Sequence, residues 1–298
     1  MTANFAIDLV TALWLGFVGA CIGSFLNVVA YRMPRGISIV WKPSHCPQCG
    51  HSIRARDNVP VLGWLVLRGK CRDCGEPISP RYAIVEAVMG ATFFLLAYVE
   101  LFSGGANLPG GPISDFTGAA DIVWNPQWQV VGVYAYHCLL LSLLMCAMLI
   151  AQDEKELPRS LLIFAAVVGC VAPLNWTYSS AVYPAWQTPI IRLSVGIVGG
   201  ACCSLLQLSA FLRCKNLSPV LFYGFRWMLI IAAIYIGAQG AIIAYFFSRL
   251  STGIWNLVDR EEKTPTGSKR LIGAFCGAII WLVFSEQIIA LISALRNM

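Results

Sequence analysis

Charged side chains are scarce in this chain. Only 12% of its 298 residues are Asp, Glu, Lys or Arg, whereas 58% are hydrophobic. A soluble domain carries about 25% charged residues, so this composition excludes an ordinary soluble protein and predicts several membrane-spanning helices. The formal charge of +6 is modest, and in such a chain it favours basic loops at a membrane surface over nucleic-acid binding.

The amino-terminal apolar stretch, Phe5 to Tyr31, lacks the basic region of a cleavable signal peptide and is too long for one. We expect it to remain as the first transmembrane helix. The sequence therefore predicts an all-α polytopic membrane protein of about seven to eight transmembrane helices. We divide it into a first helix (1–31), a loop (32–83) and a helical bundle (84–298). The further predicted spans are 84–102, 130–150, 161–174, 190–212, 227–247 and 271–292.

Basic residues are missing from residues 103–129 and 175–189, whereas residues 32–82 hold nine. Cytoplasmic loops of membrane proteins carry the excess of Lys and Arg. The pattern predicts that the loop at 32–82 faces the cytoplasm and that the amino terminus and residues 103–129 lie outside. On the same rule, segments 152–159 and 213–226 face the cytoplasm.

Residues 248–270 do not fit this scheme, because they carry five basic residues yet would lie outside if residues 227–247 crossed the membrane once. Either this loop violates the charge rule, or the stretch turns back near Gly237 and Gly240. A re-entrant piece is tolerated only where other helices bury its backbone. We favour the re-entrant or two-helix hypothesis.

Two Cys-x-x-Cys pairs lie in the polar loop, and each is followed by glycine. Eight of the twelve cysteines lie in or beside apolar spans, where cysteine behaves as a small hydrophobic residue. The remaining four match the spacing of a structural Zn²⁺ site, in which the metal would stabilise a segment with little core of its own. The alternatives are a disulfide pair, disfavoured in the cytoplasm, and a redox motif, which lacks its usual fold context. The predicted ligands are Cys46, Cys49, Cys71 and Cys74.

The residues around these cysteines resemble the amino-terminal part of the type IV prepilin peptidases. The resemblance is dense and ordered over residues 16–90, about a third of the chain. The residues that carry it are Gly23-Ser24-Phe25-Leu26-Asn27 through Arg32-Met33-Pro34, Cys46-Pro47-Gln48-Cys49-Gly50-His51, Asp57-Asn58-Val59-Pro60 through Gly63-Trp64, Arg68-Gly69-Lys70-Cys71, Ser79-Pro80-Arg81-Tyr82 and Val85-Glu86.

The resemblance implies a multi-pass enzyme of the bacterial inner membrane with a cytoplasmic zinc loop. Members of the family remove the leader of type IV prepilins or of type II secretion pseudopilins. Many also methylate the new amino terminus with S-adenosylmethionine. Cleavage uses two aspartates near cytoplasmic helix ends, because a carboxyl pair that shares one proton supplies both a base and an acid.

The first catalytic aspartate of the family lies seven residues before a proline, and Pro158 sets that register here. The position falls on Ala151, while Asp153 matches a second acidic residue of the family motif that is not the catalytic one. Asp153 is therefore only a weak candidate for a catalytic residue.

The second catalytic aspartate of the family belongs to a Gly-x-Gly-Asp-x-Lys motif. The best counterpart places Phe225 or Arg226 at the aspartate position. No Asp occurs between Asp153 and Asp259, so no realignment within that stretch supplies the second aspartate. A later Thr-Pro-x-x-Gly-like turn, at 263–267, matches the family.

Other acids and histidines give weaker signals. Glu286 lies within the last apolar run, near its outer end, and an acid inside a membrane helix is by default a functional hypothesis. We expect the acids at 259–262 to be solvated loop residues, and His137 to be packed within its span. Two further histidines, His45 and His51, flank the cysteine pairs as spare ligands.

Three hypotheses for the function follow from this comparison. In the first, the chain is an active prepilin peptidase with an unusual acid pair, such as Asp153 with an acid from 259–262. Alternatively, it is an inactive paralogue that binds prepilins or assembly components of a pilus or type II secretion system. The third hypothesis is methyl transfer alone. Loss at both aspartate positions favours the second or third.

Overall fold

The computed structural model describes residues 2–41, 43–108, 112–115, 117–175, 219–258 and 266–296, together with residues 194, 197, 198 and 201. These residues form helices and turns, with no β-strand among them. The helices are α1 (Thr2–Arg32), α2 (Leu62–Val66), α3 (Arg81–Leu96), α4 (Ala119–Trp124), α5 (Trp128–Gln152), α6 (Arg159–Asn175), α7 (Pro219–Val258) and α8 (Thr266–Arg296). Short 3₁₀ helices cover Met33–Arg35 and Ala55–Asp57, and a π-helical turn, Ala97–Leu101, continues α3.

The predicted fold class is confirmed in these residues. Six helices fall on six of the seven predicted spans, while the span predicted at 190–212 lies almost wholly outside the described residues. Three of the described helices are long and apolar enough to cross a membrane, namely Phe5–Arg35, Arg81–Leu101 and Trp128–Gln152. The protein is therefore a helical membrane protein.

Helices α1 and α3 pack closely along their lengths because α1 places small residues at the contact. A Cβ on Gly19 would lie 2.7 Å from the carbonyl oxygen of Met89 and from the Phe93 side chain. In a membrane, apolar burial gives no drive for helices to associate, so close backbone approach through small residues supplies the van der Waals contact. Large apolar side chains on the outer face of α1, such as Phe5 and Trp14, stay exposed.

Helix α5 lies at the centre of the described bundle. In its most apolar 18-residue window 83% of the residues are buried, compared with 17% in α1 and 33% in α3. It contacts α1 and α3 on one side and α7 and α8 on the other. The residues at both ends of α5 are therefore placed by neighbours from both halves of the chain.

We call the end of the bundle where α1 and α5 end and α3 begins the loop side, because the loop at 33–80 leaves and returns there. Pro34 and the left-handed Gly36, with φ of 66°, stop the helical run after Arg32. Pro80 precedes α3, which suits a first turn whose N–H groups have no partner within the helix.

Helices α7 and α8 form an antiparallel pair with equally close contacts. Gly273 of α8 lies against the backbone of Phe247, and Gly240 of α7 lies against Trp281. The middle of α8 is held by the turn after α3, where Asn107 Nδ2 donates to the Leu282 carbonyl and Ser285 Oγ donates to the Asn107 carbonyl. Because that turn is opposite the loop side, α7 runs towards the loop side as it approaches Val258.

The re-entrant hypothesis for residues 227–247 is wrong in this structure. Helix α7 continues without interruption through Gly237 and Gly240. Packing against α8 supplies the reason, since a Cβ on Gly240 would lie 2.7 Å from the Trp281 side chain, and the glycine thus serves a close helix contact. The exposed Arg249 lies on the part of α7 that approaches the loop side, in agreement with the charge rule. The start of α7 lies at the opposite end, so the predicted cytoplasmic position of residues 213–226 is wrong for its described part, 219–226.

Helix α8 bends at Phe284, whose φ of −121° and ψ of 18° are not helical. The bend frees the Leu282 carbonyl from the helical ladder, and Asn107 donates to that carbonyl. The turn that carries Asn107 is itself buried, with Leu108 at 2% exposure. The bend is thus fixed by a partner from another part of the chain.

Candidate metal centre and the loop side of the bundle

The two cysteine pairs form two similar turns. In the first, the Gly50 N–H donates to the Cys46 carbonyl and the Cys46 N–H to the His51 carbonyl. In the second, the Gly75 N–H donates to the Cys71 carbonyl, and the Cys71 N–H donates to the Glu76 carbonyl. The glycines have φ of 74° and 73°, as the sequence predicts from their position after the second cysteine of each pair.

These turns bring the four predicted ligands together. The sulfurs of Cys46, Cys49, Cys71 and Cys74 all lie within 4.8 Å of one another. Sulfurs bound to one tetrahedral Zn²⁺ at about 2.3 Å lie roughly 3.8 Å apart, so the cluster fits one metal ion. The Cys46 and Cys74 sulfurs, from different turns, are 3.8 Å apart, and no described cysteine forms a disulfide.

Backbone N–H groups favour the thiolate at one ligand. Those of Cys49 and Gln48 point at the Cys46 sulfur and lower the pKa of this thiol to about 7. A thiolate is the form that binds a metal, so the turn prepares this ligand. His45 and His51, the spare ligands of the sequence analysis, are exposed and are not among the residues of the cluster.

Polar contacts hold the rest of the loop. Arg72 donates two hydrogen bonds to the Asp57 carboxylate, at 2.7 and 2.6 Å, and these lower the pKa of Asp57 below its ordinary value. The Trp64 indole N–H donates to the Ile78 carbonyl at 3.0 Å. These contacts connect the segment between the cysteine pairs to the second pair and its flank.

Buried groups at the helix ends tie the loop to the bundle. Arg32, at the end of α1, donates to the carbonyl oxygens of Ser38 and Pro43, both at 3.3 Å. Glu86, in the second turn of α3, accepts the Val61 N–H at 2.7 Å. Val61 has φ of 61°, which is strained for a β-branched residue, and the Glu86 contact helps to hold it there.

The residue predicted for the first family aspartate position is buried and apolar. Ala151 is 3% exposed and belongs to the last turn of α5. Two residues on, Asp153 is bound by Arg81 of α3, with Oδ1 at 2.5 Å from Nη1 and Oδ2 at 3.3 Å from Nη2. The pair joins the carboxyl end of α5 to the amino end of α3.

Phe225 and Arg226, the residues predicted for the second family position, lie in the first two turns of α7, at the end of this helix opposite the loop side. The side chains of these two residues, and that of Glu286, lie outside the described residues, as do Asp259, Glu261 and Glu262 entirely. Among described residues, the carboxylates closest in sequence to Ala151 are Asp153, whose two oxygens are bound by Arg81, and the exposed Glu154 and Glu156.

One polar pair within the bundle was not predicted. Glu100, fully buried in the π-helical turn, lies with Oε1 2.6 Å from Nδ1 of His137 on α5. Within the described part of the chain, Glu100 Oε2 has no hydrogen-bond partner. The expected burial of His137 is confirmed, but its acidic partner was missed. The sequence did show that Glu100 is an acid at the end of an apolar run, which is a signal for a buried polar contact. Only the folded chain shows that its partner is His137.

This geometry defines a helical membrane protein with a four-cysteine loop on one side. Residues 17–100 match the family model described as the Bacterial Peptidase A24 N-terminal domain. The prepilin leader peptidase/N-methyltransferase of Myxococcus xanthus (strain DK1622) is 52% identical over 83 residues, which cover 28% of this chain and 25% of that protein. The enzyme of the same name from Klebsiella pneumoniae is 46% identical over 110 residues, covering 34% and 47%.

A longer match comes from Escherichia coli O78:H11 (strain H10407 / ETEC). Its type 4 prepilin-like proteins leader peptide-processing enzyme is 32% identical over 204 residues, which cover 53% of this chain and 76% of that protein. The chain therefore belongs to the prepilin leader peptidase family. It spans a quarter to about half the length of the Myxococcus and Klebsiella relatives. No solved structure matches the chain.

Proposed function

We propose that this chain binds prepilins or pseudopilins at the loop side of its bundle but does not cleave them through the aspartate pair of its family. In this proposal the protein is a multi-pass protein of the bacterial inner membrane, with its amino terminus outside and its cysteine loop in the cytoplasm. The inherited fold and loop position the substrate, and the reacting carboxyl pair has been lost.

The observation that carries the proposal is Ala151. Its methyl group occupies the first family aspartate position and is buried in the last turn of α5. An alanine neither activates water nor protonates a leaving amine. A proton-sharing carboxyl pair loses both functions when either member is replaced.

Asp153 is a poor substitute because of its partner. Its two oxygens accept hydrogen bonds from the Arg81 guanidinium, a group that stays charged. With both oxygens engaged by Arg81, this carboxylate has fewer lone pairs left to bind a water molecule or a leaving amine. In the proposal Asp153 positions the end of α5, and its assignment as a catalytic residue stays a prediction.

We further propose that the metal is Zn²⁺ and that its role is structural. Four thiolates fill a tetrahedral site and leave no position for water or substrate. The cysteine cluster would hold the loop's fold, while Glu86 and Arg32 hold the loop on the bundle.

Methyl transfer is the second candidate, since the relatives' names include N-methyltransferase activity. It would use S-adenosylmethionine and would act on an amino terminus that another peptidase has exposed. This reaction does not require the aspartate pair.

The test is co-expression with a cognate prepilin in cells that lack other leader peptidases. The expected result is a prepilin that keeps its leader and co-purifies with the chain. Leader removal that disappears with Asp153→Ala but persists with Glu156→Ala, an exposed neighbour, would contradict the proposal. Mass spectrometry of pre-cleaved pilin incubated with S-adenosylmethionine tests the methyl-transfer candidate separately.

A further inference from the structure

Helix α2 turns three large apolar side chains outward from the loop. Leu62 is 59% exposed, Leu65 is 55% exposed and Val66 is 73% exposed. Residues spaced i, i+3 and i+4 share one face of a helix, so these side chains form one apolar surface, which we call the α2 face.

The inner contacts of α2 prevent this face from turning inward. On the opposite side a Cβ on Gly63 would lie 2.2 Å from the Asp57 carbonyl oxygen. The neighbouring Trp64 is held by its hydrogen bond to the Ile78 carbonyl, and its ring covers Gly69. The exposure of the α2 face is thus built into the folded loop.

The α2 face begins beside the second turn of α3. The residue that precedes α2, Val61, donates its N–H to Glu86 in the second turn of α3. On the same turns of α3, Ile84 and Val88 are exposed, and on a membrane-spanning helix such side chains contact lipid. Helix α2 therefore begins level with lipid-facing residues.

A second exposed apolar pair lies at the other end of the loop. Val40 is 74% exposed and Trp41 is 87% exposed. The segment is tied to the end of α1, because Arg32 donates to the carbonyl oxygens of Ser38 and Pro43 on either side of the pair. Tryptophan is enriched where membrane and water meet.

Charge identifies the chemistry of the surface that would cover these residues. Residues 32–82 hold nine Lys or Arg against three Asp or Glu. Arg68 and Lys70, just after the α2 face, are exposed, and so is Arg35 before the Val40–Trp41 pair. Apolar side chains flanked by cations complement a leaflet of anionic phospholipid, where basic groups meet headgroups and apolar groups enter the acyl boundary.

We propose that the cysteine loop is seated on the leaflet at the loop side through two apolar contacts, the α2 face and the Val40–Trp41 pair, with anionic phospholipid as the partner. Seating fixes the height and tilt of the metal centre relative to the membrane. The loop then forms part of the membrane surface, and a substrate that travels in the bilayer meets it there.

The test places a genetically encoded benzophenone photocrosslinker at Leu65, at Trp41 and, as the matched control, at Ser52, an exposed position in the first cysteine turn. The full chain is reconstituted into nanodiscs of phosphatidylcholine, with and without phosphatidylglycerol. After illumination, mass spectrometry counts lipid adducts. The proposal expects several-fold more adducts at Leu65 and Trp41 than at Ser52, and a further increase with phosphatidylglycerol.

Equal yields at Leu65 and Ser52 in both lipid mixtures would overturn the proposal. Adducts at Leu65 that form with a co-reconstituted prepilin in place of lipid would overturn it too, and would make the α2 face a peptide-docking surface. An independent variant, Leu65→Glu with Val66→Glu, should speed hydrogen exchange of the α2 amides several-fold in nanodiscs, whereas Ile53→Glu should not. Unchanged α2 exchange in the double variant would contradict lipid seating.

Discussion

The cysteine loop and the helical bundle are held together by different means. The loop has little apolar interior, and its shape depends on two turns, four converging sulfurs and hydrogen bonds such as Arg72 to Asp57. The bundle depends on close backbone approach, as between Gly19 and Met89, and on one buried ionisable pair, Glu100 with His137. Damage to one region should therefore leave the other largely intact, apart from the ties between them.

The largest expected effect separates the two regions through the metal. Cys46→Ser with Cys71→Ser removes two of four ligands, and metal analysis should fall from one Zn²⁺ per chain to none. Binding of structural zinc provides about 10–16 kcal/mol in small metal-folded domains, so the loop should lose its protection from protease. The helical circular dichroism of the bundle should persist.

Cys21→Ser, at an exposed cysteine on α1, is the control and should change neither metal content nor protease sensitivity. Wild-type protein without bound zinc would contradict the structural site. Collapse of the bundle together with the loop would show that the two regions form a single cooperative unit.

The second prediction concerns a variant that destabilises the bundle and leaves the cysteine loop unchanged. His137→Leu leaves the buried Glu100 carboxyl without this hydrogen-bond partner and should destabilise the bundle by about 1–3 kcal/mol, because a buried polar group that loses its partner keeps its desolvation cost. Thermal unfolding in nanodiscs measures the loss, and metal content should remain at the wild-type value.

The double variant Glu100→Leu with His137→Leu removes both polar partners and should recover most of that loss. If it is as unstable as the single variant, the importance of the pair lies in side-chain packing. Zinc loss in either variant would contradict the separation of the two regions.

A smaller effect on stability is expected at the Asp153–Arg81 contact, which joins α5 to α3 at the loop side. Asp153→Asn weakens the contact with the partly exposed Arg81, and the cost should be about 1 kcal/mol. Unfolding midpoints compared with Glu156→Gln, an exposed acid nearby, isolate this contact. Equal midpoints for the two variants would show that the Asp153–Arg81 pair contributes no stability.

The smallest prediction concerns pH and lies within the loop. The folded-state pKa of Asp57 is lowered by the Arg72 hydrogen bonds. Its stabilising contribution is therefore present above the unfolded-state pKa of about 3.9 and is lost as pH falls through the lower folded-state value.

Because metal-binding thiolates also protonate in acid, the measurement is a difference between wild type and Asp57→Asn. The variant should release zinc faster than wild type at neutral pH, and this difference should shrink as the pH falls below about 4. A difference that is the same at all pH values would exclude the Asp57 carboxylate as its source.

The features predicted from the sequence are those set by neighbours along the chain. Cys-x-x-Cys followed by glycine predicts a tight turn, and both turns form with glycine at positive φ. Long apolar runs predict helices, and α1, α3 and α5 lie where they are expected. Pro158 sets the register that places Ala151 at the family position without any knowledge of the fold.

The prediction failed where two distant segments decide the outcome. Glycines at 237 and 240 suggested a reversal, whereas α7 passes straight through them because α8 packs against that face. His137 was expected to be packed among apolar groups, and its partner Glu100 lies 37 positions earlier in the chain. Amino-acid composition does not indicate which face of one helix packs against which face of another.

The sequence by itself determined the membrane class, and it predicted the four cysteines as a ligand set and Ala151 at the family aspartate position. All three depend on residue type and local spacing. Only the tertiary structure decided that Arg81 binds Asp153, that Glu86 holds Val61 and that Leu62, Leu65 and Val66 face outward. These contacts join segments far apart in the chain, and helix packing sets which side chains come within hydrogen-bonding distance.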